Sequence, residues 1–168
     1  MKQKQCMIRC PIGEFIVSLS PSGVKEISFG LMNPRPDREP GFIVVGREGL
    51  DSRERAHLDR LTAELARYLN GERVDFEVEM ELTGCTDFQR RVYETARSIP
   101  SGETRSYAWV AERCGIPRGS RAVGQALKRN PIVILIPCHR VIASDGGIGG
   151  FNGGLKWKRQ LLDWERKP

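Results

Sequence analysis

The 168-residue sequence predicts an α/β chain, α+β in its arrangement. A small N-terminal α/β domain over residues 1–84 precedes a mainly helical C-terminal domain over 85–168 that contains a helix-turn-helix. Three observations predict this. Two apolar-rich runs near the start are parted by a Pro-Ser-Gly turn. A long helix-period stretch begins at Asp51. Beyond Cys85, four helix-period segments are separated by Pro and Gly.

The first elements read as β structure. Ile12 to Leu19 and Val24 to Phe29 flank the turn signal Pro21-Ser22-Gly23. A Pro- and Arg-rich loop runs from Asn33 to Pro40, and a short apolar run, Phe42 to Val45, follows it. Asp51 with Glu54 three residues on is a capping-box start. Leu58, Leu61, Leu65, Tyr68 and Leu69 then share one helical face, and Asn70-Gly71 ends the helix.

After Cys85, Phe88, Val92, Ala96 and Ile99 mark a helix stopped by Pro100-Ser101-Gly102. Ser106 to Cys114 forms a second, broken at Gly115-Ile116-Pro117. Gly119 to Arg129 forms a third, ended by Asn130-Pro131. An apolar strand, Ile132 to Ile136, then leads into Pro137-Cys138-His139-Arg140. A glycine-laden loop follows, and Lys156 to Glu165 closes the chain as a helix.

The net charge of +6 is unevenly distributed. Through Gly84 there are 12 Lys and Arg against 14 Asp and Glu; from Cys85 onward the balance is 15 against 7. A basic half beside a near-neutral half is the footprint of a polyanion-facing module, though a solvated basic face has the same arithmetic. No apolar run approaches the roughly 20 residues of a membrane span, and no signal-peptide pattern opens the chain. The five cysteines, at 6, 10, 85, 114 and 138, are odd in number and scattered, so a disulfide framework is not expected. Reduced thiols fit a cytoplasmic chain. With only His57 and His139 available, Cys6 and Cys10 lack the partners of a four-ligand zinc site, and no metal is expected.

Two helices joined by a short Gly-containing break, the second of them basic, describe a helix-turn-helix. The second helix is nearly bare, with Gly119, Ser120, Ala122, Gly124 and Ala126. Arg121 projects from among these small residues, with Lys128 and Arg129 further on. Small residues permit close approach, either of another helix or of another surface.

Cys138 is the one candidate nucleophile. A buried thiol is ordinarily inert, and a reactive one needs an imidazole or a hydrogen-bond donor to hold it as thiolate. His139 is adjacent, but neighbours in an extended chain point to opposite sides. A turn at Pro137 or a bridging water would be needed. A carboxylate must orient the imidazole, and Glu165 and Asp163 both qualify by position. The glycine loop fits neither phosphate-binding pattern: no Gly-Lys-Ser/Thr follows it, and Asn152 stands where a third dinucleotide-loop glycine would be. No nucleotide cofactor is expected.

Arg121-Ala122-Val123-Gly124, Asn130-Pro131, Ile134 through Val141 and Gly153-Gly154-Leu155, in this order and spacing, resemble the O6-alkylguanine-DNA alkyltransferases. The resemblance runs from about Phe88 to Glu165; the first half matches only in outline. It implies irreversible, single-turnover transfer of an alkyl group from O6-alkylguanine in double-stranded DNA to Cys138, after base flipping and without a cofactor. It further implies that His139 is the water-bridged base and Glu165 its orienting carboxylate. Asn130 would fix the turn before the active-site segment. Tyr107 would protonate the leaving guanine, and Arg121 would fill the place of the flipped nucleotide. DNA contacts in the minor groove are implied for Ser106, Ala122, Gly124, Lys128 and Ser144, and substrate contacts for Val141, Phe151, Asn152 and Lys158. A monomer is implied as well.

Three positions depart from the pattern: Phe151 replaces a common Tyr, Asn152 a common Ser, and Trp164 a His that often precedes the final Glu. Some relatives carry zinc in the first domain, but its ligand set is not recognisable here. The rival readings are a lesion-binding protein without transfer, a cysteine hydrolase and a helix-turn-helix regulator.

Overall fold

The structure is a computed structural model that describes residues 5–32, 42–151 and 153–166. The expected loop Asn33–Pro40 and the substrate contact expected of Asn152 lie outside the described residues. The chain forms two compact units, Met1–Glu81 and Leu82–Pro168.

In the first unit, β1 (Gln5–Cys10), β2 (Gly13–Ser20), β3 (Gly23–Phe29) and β4 (Ile43–Val45) form an antiparallel sheet in the order β3-β2-β1-β4. The period-2 alternation places Ile8, Phe15, Val17 and Ile27 inward, all at most 1% exposed. Gly23 turns the chain from β2 into β3 at φ +140, where a Cβ would come 2.4 Å from the Glu79 carbonyl oxygen. Helix α1 (Ser52–Leu69) lays Leu58, Leu61 and Leu65 on this sheet. Its start is the expected capping box: Asp51 accepts from the Arg53 and Glu54 amides, and Glu54 accepts from the Asp51 amide. Such caps are worth about 1 kcal/mol. β1 was not legible as a strand, because its outward positions are polar or mixed and only Cys6 and Ile8 are buried.

In the second unit, α2 (Asp87–Arg97), α3 (Tyr107–Arg113) and α4 (Ser120–Lys128) pack on one another through Val92, Tyr93, Ala96, Val110, Ala111, Val123, Ala126 and Leu127. A second capping box, Thr86 with Gln89, starts α2, and Ser106 caps α3 through the Trp109 amide. The α3–α4 turn is longer than the three residues expected, because Cys114 already caps α3 and Gly119 precedes α4. This is the helix-turn-helix. A short parallel pair, β5 (Arg105–Ser106) with β6 (Val141–Ile142), ties the start of α3 to the chain just after Cys138. Helix α5 (Leu155–Glu165) closes the unit. No helix among the described residues is long and apolar enough to cross a membrane.

One expectation fails. Residues Ile132 to Ile136 are buried, as an inner strand would be, but they form a folded turn rather than a strand. Ile134 sits at φ +72, Leu135 donates to the Val133 carbonyl, and Ile136 donates to the Ile132 carbonyl. An apolar run reports burial, and burial alone does not distinguish extended from coiled backbone.

Candidate active site

The turn is braced by one buried side chain. Asn130 Oδ1 accepts from the Ile132 amide at 2.9 Å, and Asn130 Nδ2 donates to the Ile136 carbonyl at 2.9 Å. The same nitrogen lies 3.2 Å from Cys138 Sγ. Pro137 then leads into a single 3₁₀ turn, Cys138–Arg140. Cys138 therefore does not end a strand; it and His139 are successive residues of this turn. Cys138 is 6% exposed. Burial pushes its thiol up, while the Asn130 amide and the nearby Lys158 ammonium pull the other way.

His139 is fully buried, and its Nε2 lies 2.7 Å from Glu165 Oε1. Glu165 is thus the carboxylate that meets the imidazole. Asp163, the alternative, lies 3.9 Å from Arg166 on an exposed face. His139 Nδ1 is buried and has no hydrogen-bond partner among the described residues. Burial draws the imidazole below its ordinary value; Glu165 raises it, while Arg140 and Lys158 lower it further. The resting imidazole is neutral, with Nε2 bearing the proton toward Glu165. For Glu165 burial acts upward, but the hydrogen bonds and charges of His139 and Arg140 prevail and hold its carboxyl well below the carboxylate range.

A cavity of about 630 Å³ opens beside α4. Tyr107, Arg121, Gly124, Lys128, Phe151 and Cys138 all line it. Gly124 leaves room: a Cβ there would meet only Tyr107, at 3.8 Å. Tyr107 donates to the Gly150 carbonyl at 3.2 Å, and burial, then Cys138, raises its phenol. Lys158 is fully buried beneath this wall, donates to the Val141 carbonyl at 2.6 Å and sits 5.9 Å from the rings of Tyr107 and Phe151. Burial lowers its ammonium to about 8, with Cys138 opposing.

The other expected residues fall elsewhere. Ser106 caps α3, Ala122 is exposed on α4, and Ser144 is exposed after β6. Val141 is buried and contributes its carbonyl. Sequence reasoning gave no role to Ser120, Gln125 and Leu127, which complete the α4 wall, nor to Arg140, which grips Glu165. The signal for Arg140 was present in the Pro-Cys-His-Arg run itself. Cys6 donates to the Gly46 carbonyl and Cys10 to that of Gly13, and no metal-holding group of three His, Cys, Asp or Glu occurs among the described residues.

The family model described as 6-O-methylguanine DNA methyltransferase, DNA binding domain, matches residues 87–167. A methylated-DNA–protein-cysteine methyltransferase of Methanosarcina barkeri is 38% identical over 159 residues, covering 95% of this chain and 94% of that protein. The chain belongs to the methylated-DNA–protein-cysteine methyltransferase family. The Mycobacterium tuberculosis relative of the same name is 48% identical over 103 residues, which cover 61% of this chain and 62% of that protein's length. A crystal structure of Mycobacterium tuberculosis OGT in complex with DNA matches at 35% identity and a TM-score of 0.76, covering 95% of this chain and 91% of that one. Within this family frame, the sheet-bearing first unit and the helix-turn-helix second unit agree with the fold class the sequence predicts.

Proposed function

We propose that this protein repairs double-stranded DNA by moving an alkyl group from O6 of a damaged guanine to Sγ of Cys138, once per molecule. The observation that carries the reading is the position of Cys138. Its sulfur takes a hydrogen bond from Asn130 and lines a cavity of about 630 Å³ opening beside the basic helix α4. A reacting alkyl carbon inside a duplex is out of a thiolate's reach, so the base is extruded first. The bare Ala122 and Gly124 face suits a minor groove about 6 Å wide. Arg121, exposed at the start of α4, fills the gap in the stack and offsets an unstacking cost of a few kcal/mol.

The purine then enters beside Tyr107 and Phe151. Glu165 holds His139 with Nε2–H toward it, which leaves Nδ1 as the acceptor for the Cys138 proton, relayed by a water. General-base assistance of this kind contributes about 10²–10⁴-fold. The thiolate attacks the alkyl carbon in line. The S–C bond forms as the C–O bond breaks, and its electron pair stays with the guanine. Tyr107 supplies a proton at N3, and the imidazolium returns one to the phenolate. The product thioether has no leaving group that water can displace, so the thiol is not regenerated and the protein is spent.

Intact-mass measurement after incubation with an O6-methylguanine duplex tests this. One added methyl group on Cys138 is expected, at a stoichiometric endpoint and absent from Cys138→Ala. DNA binding without added mass would identify a lesion-binding protein instead. Continued turnover would identify a hydrolase.

A further inference from the structure

Glu165 is held by more than the histidine it orients. Its side chain is 1% exposed and takes donors from Arg140, His139 and Gly102. Arg140 Nε donates to Oε2 at 2.9 Å and Nη2 to Oε1 at 3.0 Å; His139 Nε2 donates to Oε1, and the Gly102 amide donates to Oε2 at 3.1 Å. The remaining guanidinium nitrogen, Nη1, donates to the Ile99 carbonyl at 2.7 Å. Arg140 thus fixes the closing helix and the α2–α3 connection to the 3₁₀ turn that carries Cys138. Its two parallel bonds to one carboxylate are the planar fork that only a guanidinium makes.

We propose that Arg140 is a positioning residue for the Cys138–His139 pair: its two-oxygen grip on Glu165 keeps that carboxylate turned so that His139 donates Nε2–H and presents Nδ1 as the proton acceptor. This rests on the alkyl-transfer reading for its purpose but not for its geometry. The grip does two things at once. It fixes where the carboxylate stands, and it places a permanent cation beside the imidazole.

Without that cation, less of the Glu165 charge is offset, and the imidazole takes a proton more readily and offers its lone pair less often. The groups facing His139 are Glu165 and Lys158 from α5, with Arg140 and Cys138 from its own turn. From α2, Tyr93 faces Cys138. Among these, Arg140 is the cation bonded to the orienting carboxylate.

The test reads His139 directly. The chain has two histidines, so a His57→Gln background leaves His139 as the sole imidazole signal in an NMR titration. With Arg140 in place, His139 titrates below its ordinary 6.5. In Arg140→Gln its titration moves up by about one pH unit, a tenfold gain in proton affinity. Alkylation of the Arg140→Gln protein by free O6-benzylguanine falls off about one pH unit above where that of the parent does, and recovers as the pH rises. Arg140→Lys keeps the charge but loses the fork, so His139 titrates as in the parent while alkylation slows.

An unchanged His139 titration in folded Arg140→Gln would overturn the proposal. Should Arg140→Gln not fold, Arg140→Lys decides: an undiminished alkylation rate refutes the requirement for the fork. Failure of the parent protein to alkylate Cys138 at all would instead sink the alkyl-transfer reading, and the titration would still report on Arg140.

Discussion

Asn130 Nδ2 lies 3.2 Å from Cys138 Sγ, so a single amide both braces the preceding turn and serves the sulfur. A neutral donor of this kind favours the thiolate against the burial that opposes it. The same side chain accepts from the Ile132 amide. Asn130→Ala therefore removes two functions. It leaves the buried Ile132 amide without its acceptor, at a cost of about 1–3 kcal/mol, read as a lower denaturation midpoint. It also moves the pH midpoint of Cys138 carbamidomethylation by iodoacetamide upward. A stability loss with an unmoved thiol midpoint would mean that the contact with sulfur contributes nothing.

The turn that Asn130 braces was the least legible part of the sequence. Ile132 to Ile136 reads as an inner strand because five buried apolar residues in a row commonly form one. Among the described residues its hydrogen bonds go to an asparagine side chain and local carbonyls rather than to a neighbouring strand. Where hydrogen bonds close through a side chain, hydrophobic pattern carries no trace of the path. Helix α1 was legible for the opposite reason: Asp51, Glu54 and the Leu spacing are all local signals. The Glu165 choice over Asp163 needed the resemblance, since both lie on one closing helix. The geometry supports it through the 2.7 Å contact with His139.

Acid should destabilise the fold in two stages. His139 is buried with its folded value below the ordinary 6.5. The unfolded chain therefore binds that proton more readily, and stability is full above about pH 6.5 and falls as the pH drops below it. Glu165 is depressed in the fold, so its contribution is full above about 4.5 and is lost as the pH falls toward its folded value. Melting temperatures from pH 8 to 3 should show the first decline in the parent and not in His139→Gln. The same slope in both proteins would refute a buried neutral imidazole.

Lys158 sets an alkaline edge. Its folded value is about 8 against an ordinary 10.5, so between those values the unfolded chain holds the proton and the folded one does not. Stability should rise with pH across that window. Lys158→Met, which removes the buried charge, should flatten the rise and gain stability at neutral pH. A parent stability that falls from pH 8 to 10 would show that the ammonium is better accommodated than its burial implies.

Arg121 should matter for duplex substrate alone. It is exposed on α4 and lines the cavity mouth, but it makes no bond to the Cys138, His139 and Glu165 set. Arg121→Ala should slow repair of O6-methylguanine in a duplex by roughly 10–100-fold, the equivalent of a few kcal/mol of lost stacking compensation. Reaction with free O6-benzylguanine, which needs no extrusion, should keep most of its rate. Equal losses on both substrates would remove the flipping role.

Gly124 separates cavity access from folding. A Cβ at that position meets Tyr107 at 3.8 Å, an ordinary contact, and alanine favours a helix interior over glycine. Gly124→Ala should therefore raise stability by about 0.5–1 kcal/mol. Gly124→Leu should fold as well, but its longer side chain projects into the space shared by Tyr107, Phe151 and Cys138. Alkyl transfer from a duplex should then stop, while small iodoacetamide still labels Cys138. If Gly124→Leu repaired duplex DNA at the parent rate, the purine could not be entering beside α4, and the cavity would not be the reaction site.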